Sequence, residues 1–156
     1  MNKNNIRNSL IFGGTAFYLF FNRNPNRVIE HGIVSPADGT IESIKNNRID
    51  IFIGLLDVHY QVAPISGTVL DIIDLPNENK NIMVISDGVK TLTVERMGGI
   101  LARSVRTFVK VGDTVTRGQR IGRILLGSHT SIYPILNPLV KVGDHIIYGK
   151  KIENYP

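Results

Sequence analysis

Cysteine is absent from the 156 residues, which excludes disulfides, a thiolate nucleophile and cysteine-ligated zinc. The absence suits a reducing compartment without requiring one. Histidine is sparse. His31, His59, His129 and His145 form no HxH or HxxxH pair, so no metal site is expected. No run interleaves aromatics with Lys or Arg as a base-stacking surface would, and nucleic acid is not an expected partner. No segment beyond the N-terminus keeps a 3.6-residue apolar period, so the body of the chain is expected to be mostly β. The length suits one domain, burying roughly two-thirds of its unfolded surface.

Acidic residues are missing from positions 1–29, which carry Lys3, Arg7, Arg23 and Arg27. The chain as a whole has a formal charge of +5, so the rest is nearly neutral. Positions 9–21 form an uncharged, mostly apolar run, shorter than the roughly 20 residues of a spanning helix. The following Asn-Arg-Asn-Pro-Asn-Arg at 22–27 is a poor signal-cleavage site, which argues that the segment is retained. Two readings stay open: a short apolar helix buried in the core or a dimer interface, and an interfacial anchor whose cations meet anionic headgroups. The chain thus divides into a basic, apolar, membrane-associating segment over 1–29 and a β domain over 30–156. Homo-oligomerisation is left open.

The body is written in repeats. Positions 34–44 align with 62–72 through V-x-P-x-x-G-T-[IV]-x-x-I, and positions 109–121 align with 140–152 through V-K-V-G-D. Each unit reads as strand, glycine-centred turn, strand. The run Asn-Glu-Asn-Lys-Asn at 77–81 reads as a polar loop before strand-like runs at 82–86 and 90–96. Paired hairpins of this kind resemble the barrel-sandwich hybrid fold of lipoyl and biotinyl carrier modules. The hairpin tips lack the modifiable lysine a carrier would display. The expected architecture is a barrel-sandwich-hybrid-like β domain with a short apolar N-terminal helix.

Three sites carry candidate chemistry, each with a bland counterpart. Gly127-Ser128 suits a turn, yet the unhindered Gly127 carbonyl is also open to attack by the Ser128 hydroxyl in an N-to-O acyl shift. Asp38, before Gly39, has ordinary turn chemistry. His59 falls in a run, 51–61, whose odd positions share one face if it is a strand, ending in Asp57, His59 and Gln61. On that reading Asp57 hydrogen-bonds one imidazole nitrogen and leaves the other for proton transfer. A surface Asp-His pair is the alternative.

Val-Ser-Pro-Ala-Asp-Gly-Thr at 34–40, Leu-Asp-Val-His-Tyr-Gln-Val-Ala-Pro at 56–64 and Gly-Arg-Ile-Leu-Leu-Gly-Ser-His-Thr at 122–130 occur in that order. Together they resemble the proenzyme signature of the phosphatidylserine decarboxylase family, especially its short, archaetidylserine-type members. Phe-Phe-Asn-Arg-Asn-Pro at 20–25 resembles the stretch after that family's membrane-associated N-terminus. The likeness covers roughly residues 19–152. It implies self-cleavage between Gly127 and Ser128, with Ser128 becoming a pyruvoyl group by β-elimination of the ester and loss of ammonia. That carbonyl cofactor would take up the amine of a phospholipid with a serine headgroup and withdraw electrons as CO2 departs. The resemblance further implies a part for Asp38 in self-cleavage and for His59 in decarboxylation. It also implies non-covalent pairing of the two fragments and attachment at the cytoplasmic face of a membrane.

Val62 stands where many members carry a second histidine, so an Asp-His-Ser relay is not copied intact. His129 replaces the usual Thr or Arg after the serine, and is either a proton shuttle or a polar loop residue. Arg103 is a candidate phosphate contact, with a solvated strand residue as the alternative. The competing function is a non-enzymatic barrel-sandwich module that binds a membrane or a protein.

Overall fold

The computed structural model describes residues 15, 18–20, 23–99, 105–124 and 128–156. Residues 15 and 18–20 are helical, and the rest of the expected N-terminal helix lies outside the described residues. Arg103 and Gly127 lie outside them too. None of the helices among the described residues is long and apolar enough to cross a membrane.

The remainder is mostly β. In chain order the strands are β1 (Ile33–Val34), β2 (Gly39–Lys45), β3 (Arg48–Ile53), β4 (Tyr60–Val62), β5 (Gly67–Leu75), β6 (Lys80–Ser86) and β7 (Thr91–Met97). They continue with β8 (Val105–Thr107), β9 (Thr114–Val115), β10 (Arg120–Ile124), β11 (Ser128–Tyr133), β12 (His145–Ile146) and β13 (Lys151–Glu153). Eight form one antiparallel sheet in the order β12-β2-β3-β11-β7-β6-β5-β9. A three-stranded sheet, β4-β10-β8, and the pair β1-β13 complete the described fold.

Alternation, strict in β3 and β6, builds the core. Ile49, Ile51 and Ile53 of β3, Met83 and Ile85 of β6, Leu92 and Val94 of β7, and Ile132 of β11 all point inward and are fully buried. Each such aliphatic side chain contributes roughly 1.5–3 kcal/mol by leaving water, and β-branched residues dominate because they fit a pleated, half-buried surface.

The repeats meet each other in matching hydrogen bonds. Val34 N–H donates to the Pro64 carbonyl, and Val62 N–H donates to that of Pro36. Gly112 N–H reaches Val69 O while Asp113 O accepts from Val69 N–H; Gly143 and Asp144 do the same with Ile41. Asp113 and Asp144 each cap their own turn, accepting from Lys110 N–H and Lys141 N–H at 2.9 and 2.8 Å. The two G-T glycines are needed for close approach. A Cβ on Gly39 would lie 2.1 Å from Phe52 O, and one on Gly67 would lie 2.3 Å from Ser86 O.

Two local expectations are corrected. Residues 51–61 are not one strand: β3 stops at Ile53 and β4 starts at Tyr60. Gly54 N–H donates to the Asp57 carboxylate at 2.8 Å and Asp57 N–H to Gly54 O at 3.1 Å, which closes a turn between them. The polar run at 77–81 is also shorter as a loop than expected. Pro76–Glu78 is a 3-10 turn, Asn79 is left-handed at φ 51°, and Lys80 and Asn81 already belong to β6. Asn tolerates that conformation better than most residues.

Candidate active site

Asp38 is 2% exposed, on the short connection between β1 and β2. Its carboxylate is surrounded by donors. Arg27 grips both oxygens, through Nη1 to Oδ1 and Nη2 to Oδ2, the latter at 2.8 Å. Tyr148 N–H donates at 2.9 Å and Val58 N–H at 3.3 Å. A bidentate guanidinium pair with two amides holds an anion in one orientation. Arg27 also stacks 4.2 Å over the Tyr148 ring, whose hydroxyl donates to Pro25 O at 2.8 Å.

His59 is fully buried one residue beyond Val58. Its Nδ1 lies 2.8 Å from the backbone carbonyl of Asp57. A carbonyl oxygen only accepts, so Nδ1 carries the proton and Nε2 of the neutral ring carries the lone pair. Burial lowers the His59 pKa; the Asp57 carbonyl and charge oppose this in part, and Arg23 and Arg123 add to it. This corrects the expected carboxylate contact. The Asp57 side chain instead accepts from Gly54 N–H and pairs with His145 Nε2 at 2.8 Å.

Ser128 opens β11, is fully buried, and its Oγ has no hydrogen-bond partner among the described residues. An orphaned buried hydroxyl costs free energy that a structural serine ordinarily avoids. Ser128 faces Ile53 across the β11–β3 ladder. Ile53 packs with Ala37 and Ile124 in a small apolar cluster. Ala37 precedes Asp38, and Ile124 N–H donates to His59 O at 3.1 Å. One cluster thus adjoins the segments carrying Asp38, His59 and Ser128.

His129 points to the other face of β11. It pairs with Glu42 at 3.0 Å and tilts against Phe52 with ring centroids 5.3 Å apart, on a face shared with Ser131 and Arg48. Its side chain is 43% exposed.

Three neighbours have partners that the sequence analysis did not assign. Arg27 reads in sequence as a surface cation, and nothing there signals its partner. Gln61 is buried and donates to Thr130 Oγ1, and its own Oε1 has no partner among the described residues. Arg96 is fully buried, held by Asn81 Oδ1 and by Thr107 Oγ1 at 2.8 Å, with no partner for Nη1 among the described residues. Burial pulls its pKa down to about 10, with Asp74 opposing. Alternation does signal Arg96, because it follows Leu92 and Val94 on the inward side of β7.

A family model described as phosphatidylserine decarboxylase matches residues 15–154. A provisionally named archaetidylserine decarboxylase proenzyme of Archaeoglobus fulgidus is 35% identical over 131 residues, 77% of this chain and 67% of the relative. The phosphatidylserine decarboxylase proenzyme of Geotalea uraniireducens is 33% identical over 168 residues, 88% of this chain and 78% of its own length. That of Geobacter sulfurreducens is 31% identical, covering 92% and 82%.

Proposed function

This chain belongs to the phosphatidylserine decarboxylase family of carboxy-lyases, and on that premise we propose that it is a pyruvoyl-dependent decarboxylase of a phosphatidylserine-type lipid, matured by its own cleavage at Gly127-Ser128. The single observation that carries the reading is the fully buried Ser128 Oγ at the start of β11, which has no hydrogen-bond partner among the described residues. A hydroxyl left without an acceptor inside a protein suits a nucleophile in waiting better than a scaffold residue.

In cleavage, Ser128 Oγ attacks the Gly127 carbonyl, the C–N bond breaks, and the freed amine takes the proton. The ester then eliminates at the Ser128 Cα–H, releasing residues 1–127 with a carboxylate. Hydrolysis of the resulting enamine gives ammonia and the ketone at position 128. His59 Nε2, which the Nδ1–Asp57 hydrogen bond makes the basic nitrogen of the neutral ring, is the base that this sequence offers in place of a second histidine at Val62. Asp38, saturated by four donors, ties Arg27, Val58 and Tyr148 together. It acts as a positioning anion in cleavage.

When formed, the pyruvoyl ketone supplies the carbonyl that captures the substrate amine and the electron sink for decarboxylation. The substrate reaches the site as an ammonium and must lose a proton to react. His59 Nε2 takes that proton and returns it to the carbon that CO2 has left. The duplicated hairpins and their matching hydrogen bonds support a barrel-sandwich architecture, and residues 1–29 are the proposed membrane-associating segment.

The test is turnover. Cleaved protein incubated with a phosphatidylserine-type lipid is expected to release CO2 and an ethanolamine lipid, and Ser128→Ala protein neither. Equal release from both proteins would contradict the reading.

A further inference from the structure

We propose that the outer face of the three-stranded sheet β4-β10-β8 is a docking surface for a bilayer rich in anionic phospholipid. The cations responsible are scattered in sequence, and folding gathers them. Arg123 faces Tyr60 on one side and Arg106 on the other in the strand register. Arg120 and Arg123 place their guanidinium carbons 4.8 and 5.9 Å from the Tyr60 ring centroid. Phe108 lies beside Tyr60, centroids 6.2 Å apart, and is 49% exposed. Arg106 and Arg120 are exposed, and the three strands contain no Asp or Glu. The inward side of the same sheet is taken by Gln61, Ile121 and Ile124. A body that is almost neutral overall therefore gathers arginines and aromatic rings on three strands that hold no Asp or Glu.

A lipid surface is favoured over a nucleic acid by what adjoins this face. Leu55 and Leu56, 50% and 68% exposed, form the tip of the turn leading to His59. Arg23 donates to the Leu56 carbonyl and lies 4.0 Å over the ring of Phe20, itself 43% exposed. Ile124 N–H of β10 donates to the His59 carbonyl at 3.1 Å, which joins the turn to the sheet. Apolar tips beside arginine and tyrosine suit insertion among headgroups and acyl chains, where tyrosine rings and basic residues are favoured. Nucleic acid would gain nothing from the leucines. The choice of a lipid rests on the decarboxylase reading. The surface is additional to the N-terminal run, because it is built from the β body.

The probe is flotation of the full chain with phosphatidylcholine vesicles, with and without phosphatidylglycerol. Phosphatidylglycerol has no serine, so turnover cannot alter the vesicles. An arginine at an anionic surface is worth about five-fold in binding, so two amount to roughly 30-fold. The expected result is a salt-sensitive preference for the anionic vesicles that Arg106→Gln/Arg120→Gln reduces on that order. Arg106→Lys/Arg120→Lys is expected to keep it, as is Lys45→Gln/Lys141→Gln on other exposed turns. Melting curves matching wild type exclude unfolding, and the lysine pair guards against loss of packing. No preference for anionic vesicles, or a preference untouched by the glutamine pair, overturns the proposal. Tighter binding to a mixed-sequence oligonucleotide than to the vesicles overturns it in favour of nucleic acid. Loss of the vesicle preference would leave the decarboxylase reading standing, and an inactive protein that keeps the preference would leave the docking surface standing.

Discussion

The Asp57 carbonyl, 2.8 Å from His59 Nδ1, decides which imidazole nitrogen is available for chemistry. That choice was hidden in the sequence, where the Asp57 carboxylate is the obvious partner. The carboxylate is instead drawn away by Gly54 N–H and His145, because the chain turns where a strand was expected. His59→Ala is expected to lower product formation by about 10²–10⁴-fold, the range for a positioned acid or base. Self-cleavage in the same variant is expected to slow as well, because His59 serves both steps, and normal cleavage with near wild-type turnover would remove it from the mechanism. Its depressed pKa also has a pH consequence. Below the ordinary imidazole value of about 6.5, the unfolded chain binds a proton that folded His59 still refuses. Stability contributed by the neutral ring is therefore present above that value and lost as pH falls toward the lower native pKa. Thermal melts from pH 7.5 downward should show this slope, and His59→Asn should flatten it.

At the scale of elements, the segment over residues 23–30 is a strap. Arg27 clamps Asp38, Tyr148 holds Pro25, and Glu30 accepts from Lys150 Nζ and Lys151 N–H at 2.7 and 2.8 Å. Deleting residues 1–21 spares these contacts and should leave self-cleavage intact, whereas deleting 1–29 should abolish it. Arg27→Ala strands a buried carboxylate, a change that typically costs about 3–5 kcal/mol. It should slow cleavage, with Arg27→Lys recovering part of the rate. Cleavage timed by gel separates these outcomes, and wild-type timing in the Arg27→Ala protein would leave the strap without a role in maturation. The hairpins of the body were legible because their repeats and two-residue alternation are local. The strap was not, since the Arg27–Asp38 pair depends on how two distant segments dock. The loop expected over 77–81 ends sooner because Asn81, which has loop chemistry in sequence, is buried by bonding Arg96 and Asp74.

For the whole molecule, a cut before Ser128 severs the chain without severing the fold. Residues 128–156 supply β11, which sits between β3 and β7 inside the eight-stranded sheet, and β12 and β13, which pair with β2 and β1. The fragments are therefore expected to co-migrate under native conditions and separate only in denaturant. Size-exclusion chromatography of cut protein checks this, and spontaneous dissociation would contradict it. Arg96 belongs to the same scale, since its Nη1 lies where a Cβ on Gly122 would come within 1.9 Å. Gly122→Ala is expected to destabilise the sheet by displacing a buried guanidinium. The most direct measurement is the intact mass of the purified chain under denaturing conditions, beside Ser128→Ala. The expected wild-type result is two species, residues 1–127 and 128–156, the second lighter than a serine-initiated fragment by the mass of ammonia and blocked to N-terminal sequencing. A wild-type chain that remains whole after prolonged incubation, or a Ser128→Ala chain that is cut at the same bond, would contradict the account.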